Sequence, residues 1–401
     1  HRSKEVKTGR ETKTGQFFLF KTLQLYLSYI KFRNKHQNFS TFAQIMNFSL
    51  NTYDRIKIQR LAAVLKMNND AVRIFSAYLA ACPNFITADM IQGICNEYDI
   101  PEENAFSNLL IAACGLDIEN NTTNRQLANS YIVPAIHKLS VQQYIANPYY
   151  QHIHIPEVQF GNWELKYMHY NPYEAFVCNS PLLKEDFKEI PQIGFFDTTF
   201  SFPAITQYNN EWMAIKPNEI ETMQEAIQQI SGNVVTFGLG LGYFAYMVSE
   251  KKTVRQITIV EKDKTVISLF QTHILPQFPH HNKIRITQAD AFEYVATQMP
   301  EQKYDYAFTD LWHDVSDGYP LYLKMKKLES LHPETVFLYW IEDALLSRMR
   351  WNLFHQIYDT LFTENTKQNH EIHVSLPIGS YEQLIALLKN SSLKKLARGK
   401  T

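Results

Sequence analysis

The segment from Asn233 to Glu261, NVVTFGLGLGYFAYMVSEKKTVRQITIVE, constrains this chain more than any other. Asn233 to Phe237 is a short apolar, β-rich run, the pattern of a strand buried on both faces. Gly238, Gly240 and Gly242 then alternate with leucines, and glycine is required where a chain turns tightly or admits a ligand against its backbone. Tyr243 to Ser249 is an apolar helical run that opens at this turn, so its free N–H groups face whatever sits over the glycines. Ile257 to Val260 is a second buried strand, with Glu261 at its carboxyl end. A carboxylate about 20 residues past such glycines suits the two hydroxyls of a ribose. The segment is half of a nucleotide-binding α/β fold.

The order of elements continues downstream. Ile284 to Gln288 is a third strand, ending at Ala289-Asp290-Ala291, and Ala291 to Gln298 a helix that Asp290 is suited to cap. A side-chain acceptor and a following N–H at this strand end match an adenine amino group and ring nitrogen. Tyr304 to Thr309 is a fourth strand, followed by Asp310-Leu311-Trp312-His313-Asp314. Ligands of open α/β sheets bind beyond the carboxyl ends of the strands. Asp310, His313 and Asp314 therefore converge there as candidate catalytic groups. Asp310 or His313 would take a proton from a nucleophile, and Trp312 would hold an aromatic or cationic group. The alternative is a loop of solvated acids around a core tryptophan. Tyr319 to Leu331 is a helix, Thr335 to Ile341 a fifth strand, Ala344 to Phe362 a helix, and Glu371 to Leu376 a last strand.

The dinucleotide pattern G-x-G-x-x-G requires glycine at position 243, which is Tyr243. The G-x-G-x-G spacing, with an acid ending the next strand, resembles class I S-adenosylmethionine (SAM)-dependent methyltransferases and their relatives the spermidine synthases. The resemblance covers Trp212 to Leu376 and is firmest from Asn233 to Asp314. It implies SAM as cofactor, held by Gly238, Gly240, Gly242, Tyr243, Glu261, Lys262, Asp290, Ala291, Asp310 and Leu311, with no metal. It also places the helix after Pro217 over the methionine part of SAM, where Glu219 or Thr222 would line the pocket or Glu219 would be a solvated cap. The chain departs from these families at two points. The Asn/Asp-Pro-Pro-aromatic motif of amino-directed nucleic-acid methyltransferases is replaced by Asp310-Leu311-Trp312-His313-Asp314. The acid that spermidine synthases carry among the glycines is replaced by Leu239 and Leu241.

Upstream, apolar residues recur at 3–4 spacing over Tyr53–Met67, Asp70–Ala81, Ala88–Tyr98, Glu102–Cys114 and Asn124–Ile145, with breaks at pairs such as Asn68-Asn69. This predicts a helical domain whose use is substrate enclosure or dimerisation, the latter giving a homodimer. His152–His154, Trp163–Tyr170, Glu174–Cys178, Gly194–Phe202 and Trp212–Ile215 form a β-rich module. His152 and His154 share one strand face, but without a third ligand a plain strand is the better reading.

Charge separates the ends from the body. Residues 1–45 hold nine Lys/Arg and two Glu; removing them leaves 30 of the 39 basic and 38 of the 40 acidic residues, a net charge of −8. The basic segment is expected to be an extension ahead of Met46. The acidic body argues against a nucleic-acid substrate, because phosphate-backbone affinity rests on Lys and Arg. No apolar run reaches the roughly 18 residues of a membrane span. Cys82, Cys95, Cys114 and Cys178 form no C-x-x-C pair, consistent with reduced thiols and a cytoplasmic location.

The expected architecture is a doubly wound, mostly parallel Rossmann-like α/β sheet over 216–390. A basic extension (1–45), a helical domain (46–150) and a β-rich module (151–215) precede it, and a solvated basic tail (391–401) follows. The expected function is methyl transfer from SAM to a small-molecule or protein acceptor. Aminopropyl transfer from decarboxylated SAM and non-catalytic nucleotide or NAD(P) binding are the alternatives.

Overall fold

The computed structural model describes residues 50–362 and 378–399. The basic segment 1–45 and the strand expected at Glu371–Leu376 lie outside these residues.

Helix α1 (Thr52–Ala81) is continuous, with Ile58, Leu61, Leu65, Asn68, Ala71, Phe75 and Tyr78 buried along one face. The expected break at Asn68-Asn69 is absent. Asn68 is buried and anchors the helix: its Nδ2 donates to the Phe187 carbonyl at 2.9 Å, and its Oδ1 accepts from Tyr131 Oη at 2.8 Å and Glu189 N at 3.2 Å. A buried amide with its hydrogen bonds met is tolerated in mid-helix. Helices α2 (Ala88–Tyr98) and α3 (Glu102–Ala113) follow as expected. The helix expected over 124–145 is instead α4 (Thr122–Leu127), a π turn, a 3-10 turn over Val133–Ala135, strand β1 (Ile136–Lys138) and α5 (Val141–Ile145). Pro134 lacks the N–H that a continuing helix needs. Helix α6 (Pro148–His152) takes His152 off the expected strand.

The β-rich region comprises β2 (Val158–Phe160), β3 (Trp163–Tyr170), β4 (Phe176–Leu183), β5 (Glu189–Phe195), β6 (Phe200–Gln207) and β7 (Asn210–Ala214). One antiparallel sheet runs β2-β3-β6-β7, and a mixed sheet runs β1-β5-β4, with β1 parallel and β4 antiparallel to β5. Because β1 lies before residue 150, the helical and β-rich segments share a sheet.

After α7 (Pro217–Gln229) come β8 (Gly232–Phe237), α8 (Tyr243–Ser249), β9 (Val254–Glu261), α9 (Lys264–Leu269), β10 (Ile284–Gln288), α10 (Ala291–Thr297), β11 (Tyr306–Thr309), α11 (Val315–Glu329), β12 (Val336–Tyr339) and α12 (Glu342–Phe362). The five strands are all parallel in the order β10-β9-β8-β11-β12, an α/β sheet compatible with a Rossmann-like fold. Their register follows the buried apolar runs: Val234, Val235 and Phe237 of β8 lie between Ile257, Thr258 and Val260 of β9 and Tyr306, Ala307 and Thr309 of β11. Parallel strands covered on both faces have this near-continuous apolar character.

Helices α13 (Tyr381–Leu388) and α14 (Asn390–Ala397) close the described chain. The stretch expected to be a solvated tail is docked, with Leu393, Leu396 and Ala397 buried, Lys394 paired with Glu342 and Arg398 with Glu329. Nearby, the buried Arg350 of α12 bonds the Glu189 carboxylate, the Leu388 carbonyl (3.0 Å) and the Asn390 amide oxygen. One guanidinium thus ties β5, α12, α13 and α14 together.

Replacing Asn68 with Ala takes the buried amide from the Phe187 carbonyl and the Glu189 N–H and leaves the Tyr131 hydroxyl with its longer 3.4 Å bond to the Val64 carbonyl. Urea unfolding is expected to show a loss of about 2–4 kcal/mol. A midpoint equal to wild type would show that Asn68 does not anchor the helix.

Candidate active site

Strand order reverses around β8: the chain leaves it toward β9 and β10, then returns to its other side at β11. At such a switch point the loops beyond the two strand ends diverge and leave a crevice. Gly238 leaves β8 and Asp310 leaves β11. The two are held edge to edge, Asp310 N donating to the Phe237 carbonyl at 2.9 Å and Gly238 N to the Val260 carbonyl at 3.0 Å.

The three glycines have positive φ, +97° at Gly238, +52° at Gly240 and +75° at Gly242, which side-chain-bearing residues rarely adopt. Each also has an occupied flank. A Cβ would stand 1.9 Å from the Asp310 carbonyl oxygen at Gly238, 2.6 Å from Met213 Sδ at Gly240 and 2.3 Å from the Phe270 ring at Gly242. The turn closes with Gly242 N donating to the Leu239 carbonyl at 2.9 Å.

Glu261 is buried at the end of β9. Its Oε2 accepts from Leu239 N at 3.2 Å and its Oε1 from Asp263 N at 2.8 Å. The carboxylate thus braces the glycine turn from below, and each oxygen keeps a further lone pair. Lys262 beside it is exposed. Asp290 caps α10, one oxygen accepting from Phe292 N at 2.9 Å and Glu293 N at 3.1 Å, with Ala291 buried behind it. Tyr243 packs its ring on Tyr149, and Asn147 Nδ2 donates to its hydroxyl at 3.0 Å; burial pushes that hydroxyl up to about 12.

The loop after β11 divides the remaining candidates. Asp310 lines a small cavity with Met213, Met223, Gly238, Leu239 and Tyr243, about 10 Å³ in volume, enough for one water. Burial pushes its carboxyl up to about 7, opposed by His313 and reinforced by the charge of Glu261. Leu311 is half-buried. Trp312 packs on Gly318 of α11 and stacks on Tyr339 at 6.5 Å, so it belongs to the core and not to the crevice wall. His313 is exposed, its Nδ1 3.1 Å from Asp317 Oδ2 and its ring edge-on to Trp212. Asp314 is the N-cap of α11, accepting from Ser316 N at 2.6 Å in a capping box with Asp317. Its carboxylate is committed to starting the helix, and this is why α11 begins at Val315, ahead of the expected Tyr319.

Helix α7 contributes Glu219 in its first turn, 8% exposed. Burial raises its carboxyl well above the usual range; nearby Asp310 adds to this, Lys216 opposes it and Glu211 reinforces it. Lys216 is already committed to Glu211, with Nζ to Oε1 at 2.5 Å. Thr222 does not line the crevice: its hydroxyl bonds the Asn218 carbonyl at 2.6 Å and accepts from Trp340 Nε1 at 2.8 Å.

Two contributors carried no sequence signal beyond a turn or a strand. Tyr149 of α6 donates to the Leu241 carbonyl at 2.7 Å, bracing the glycine turn from above. Met213 of β7 lies on Gly240 and lines the cavity beside Asp310. An Asn-Pro turn before Tyr149 was the nearest visible cue. Compared with models of known families and with curated proteins, the chain matches none.

Gly238→Ala sets a methyl against a backbone oxygen and is expected to destabilise the fold by more than about 2 kcal/mol, adding clash to left-handed strain. Gly240→Ala meets only a flexible thioether, so Met213→Ala should relieve part of its cost in a double-mutant cycle of melting temperatures. Additive effects would mean that Met213 does not press on Gly240.

Asp310 has a second consequence. Its folded value of about 7 lies above the unfolded carboxyl range near 3.9, so its contribution to stability is fully present below the unfolded value and lost as pH rises through about 7. Asp310→Asn should therefore raise the melting temperature at pH 8 and leave it nearly unchanged at pH 4. An equal shift at both pH values would remove titration of Asp310 as the cause.

Proposed function

We propose that the chain transfers a methyl group from S-adenosylmethionine to a small-molecule or protein acceptor bound beside Asp310. The observation that carries this reading is the glycine turn: three positive-φ glycines in one loop, braced from the next strand end by Glu261. Side chains are excluded from the turn face at Gly238, and the carboxylate below it retains acceptor capacity for ribose hydroxyls. These residues fit an adenosyl group. Gly238, Gly240 and Gly242 would receive it against the backbone, Glu261 would hold the ribose, and Asp290 with Ala291 the adenine. The bound cofactor supplies a methyl on a positively charged sulfur, with a neutral thioether as leaving group.

The remaining work falls to the chain. It must align the acceptor and remove a proton from it. Asp310, near half-ionised at neutral pH, has the proton affinity for that task and faces the crevice. A space of about 10 Å³ does not admit a nucleotide, for which sites of at least about 300 Å³ are usual. Met213 must therefore swing off Gly240, a movement suited to its unbranched thioether side chain.

A second reading, aminopropyl transfer from decarboxylated SAM, is favoured by one feature: a buried Glu219 and a half-buried Asp310 whose carboxyls both lie above their usual range, Asp310 adding to the effect at Glu219. Tyr243 leaves no third glycine for a dinucleotide.

Parallel calorimetric titrations with SAM, decarboxylated SAM and NAD test these readings. SAM is expected to bind, and Glu261→Ala to weaken it by about 1–3 kcal/mol, roughly 5- to 150-fold. Preference for decarboxylated SAM would move the reaction to aminopropyl transfer, and unchanged SAM affinity in the variant would remove the ribose role from Glu261.

A further inference from the structure

Charge is unevenly divided within the body of the chain as well as between its ends. From Ile74 to Asn124 there are seven Asp/Glu and no Lys or Arg. This stretch ends α1 and forms α2 and α3. Glu102 is met by Lys138 at 3.0 Å, and Asp117 lies near Arg125. Asp89, Glu97 and Asp99 stand exposed on α2 and its C-cap. Together they give α2 a strongly negative face.

The same helix is incompletely covered. Of its 11 residues only Ile91 is buried. Ile91, Ile94 and Tyr98 recur at helical spacing on one side, and cover falls along it: Ile91 is buried, Ile94 half-buried and Tyr98 61% exposed. Phe85, just ahead of the helix, is 50% exposed. Uncovered aromatic rings beside exposed acids suit a partner that is both apolar and basic. Burial of the rings and pairing of the charges then act together.

Residues 1–45 have that chemistry. They hold nine Lys/Arg against two Glu, with the apolar run Phe17–Phe20 followed by Lys21, Lys31 and Arg33. The chain that joins them to Leu50, the first described residue, is long enough to reach α2. Ile91 of α2 packs with Phe75 and Tyr78 near the C-terminal end of α1. The helix therefore lies about one length of the 30-residue α1 from Leu50, about 45 Å. The 17 residues from Arg33 to Leu50 span up to about 60 Å when extended. We propose that the α2 face docks residues 17–33 of the same chain. Their apolar residues cover Ile94, Tyr98 and Phe85, and their basic residues face Asp89, Glu97 and Asp99. This docking is independent of the methyl-transfer reading.

The test is carbodiimide coupling of lysine amines directly to carboxylates in the full chain, followed by peptide mass mapping. A mixture of isotope-labelled and unlabelled chains separates links within one chain from links between two. At low salt, Lys21, Lys31 or Lys35 is expected to link to Asp89, Glu97 or Asp99 of the same chain. These links should fall at least about fivefold near about 0.5 M NaCl, where screening acts beyond about 4 Å. The second measurement is the rate of tryptic cleavage after Lys21, Lys31 and Arg33. Wild type should be cut there more slowly than a free peptide of residues 1–45. The variant Asp89→Asn/Glu97→Gln/Asp99→Asn, short of three exposed charges, should be cut at least about threefold faster than wild type. Asparagine tolerates the left-handed φ of +52° at position 99, so the substitution spares the cap of α2. Links that fall on other acids, links only between chains, or equal cleavage of wild type and free peptide overturn the proposal.

Discussion

The central constraint is the contact between two strand ends. Gly238 and Asp310 leave adjacent parallel strands, and the Asp310 carbonyl oxygen occupies the space a side chain at 238 would need. That approach lets the loops diverge immediately beyond the sheet instead of packing over it. The Asp310 carboxyl stands half-buried beside this contact, and desolvation there raises its proton affinity. The glycine turn and the acid are one arrangement seen from two strands.

The N-terminal half supports this arrangement from outside. Tyr149 holds the Leu241 carbonyl, Asn147 the Tyr243 hydroxyl, and Met213 rests on Gly240. Glu261 holds the same turn from the sheet side. The turn is therefore gripped between two separately built layers. On the far side, Arg350 and Glu189 join the β-rich sheet to α12, and Asn68 joins α1 to the same strand. The helical and β-rich segments act as a frame for the α/β sheet.

The parallel sheet could be read from the sequence because each strand is a local apolar run ended by a glycine or an acid. β8, β9, β10, β11 and β12 fall within a few residues of their expected positions. What could not be read depends on partners distant in the chain. Asn68 resembles a helix break until Phe187 and Glu189, more than 100 residues away, meet its amide. Residues 390–397 resemble a solvated tail because their Lys is charged and their leucines few; the acids that receive Lys394 and Arg398 lie on α11 and α12. Asp314 and Asp310 are equivalent acids in sequence. Only the start of α11 at Val315 commits one to a cap and leaves the other facing the crevice.

The buried charges around α14 carry an implication for synthesis. Lys326 lies almost fully buried between Glu329 at 2.8 Å and Glu342 at 3.3 Å. Two carboxylates with one ammonium are electrically incomplete until Arg398 and Lys394 arrive. Lys57 on the first helix likewise finds Glu382 across 325 residues. During translation, α11 and α12 would emerge with excess negative charge in their contact and keep it hydrated. The five-stranded sheet can form its local pairs early, but the dry packing of its last helices waits until the chain near Arg398 has been made. A ribosome paused before that point would hold a native-like sheet with a wet, unlocked flank.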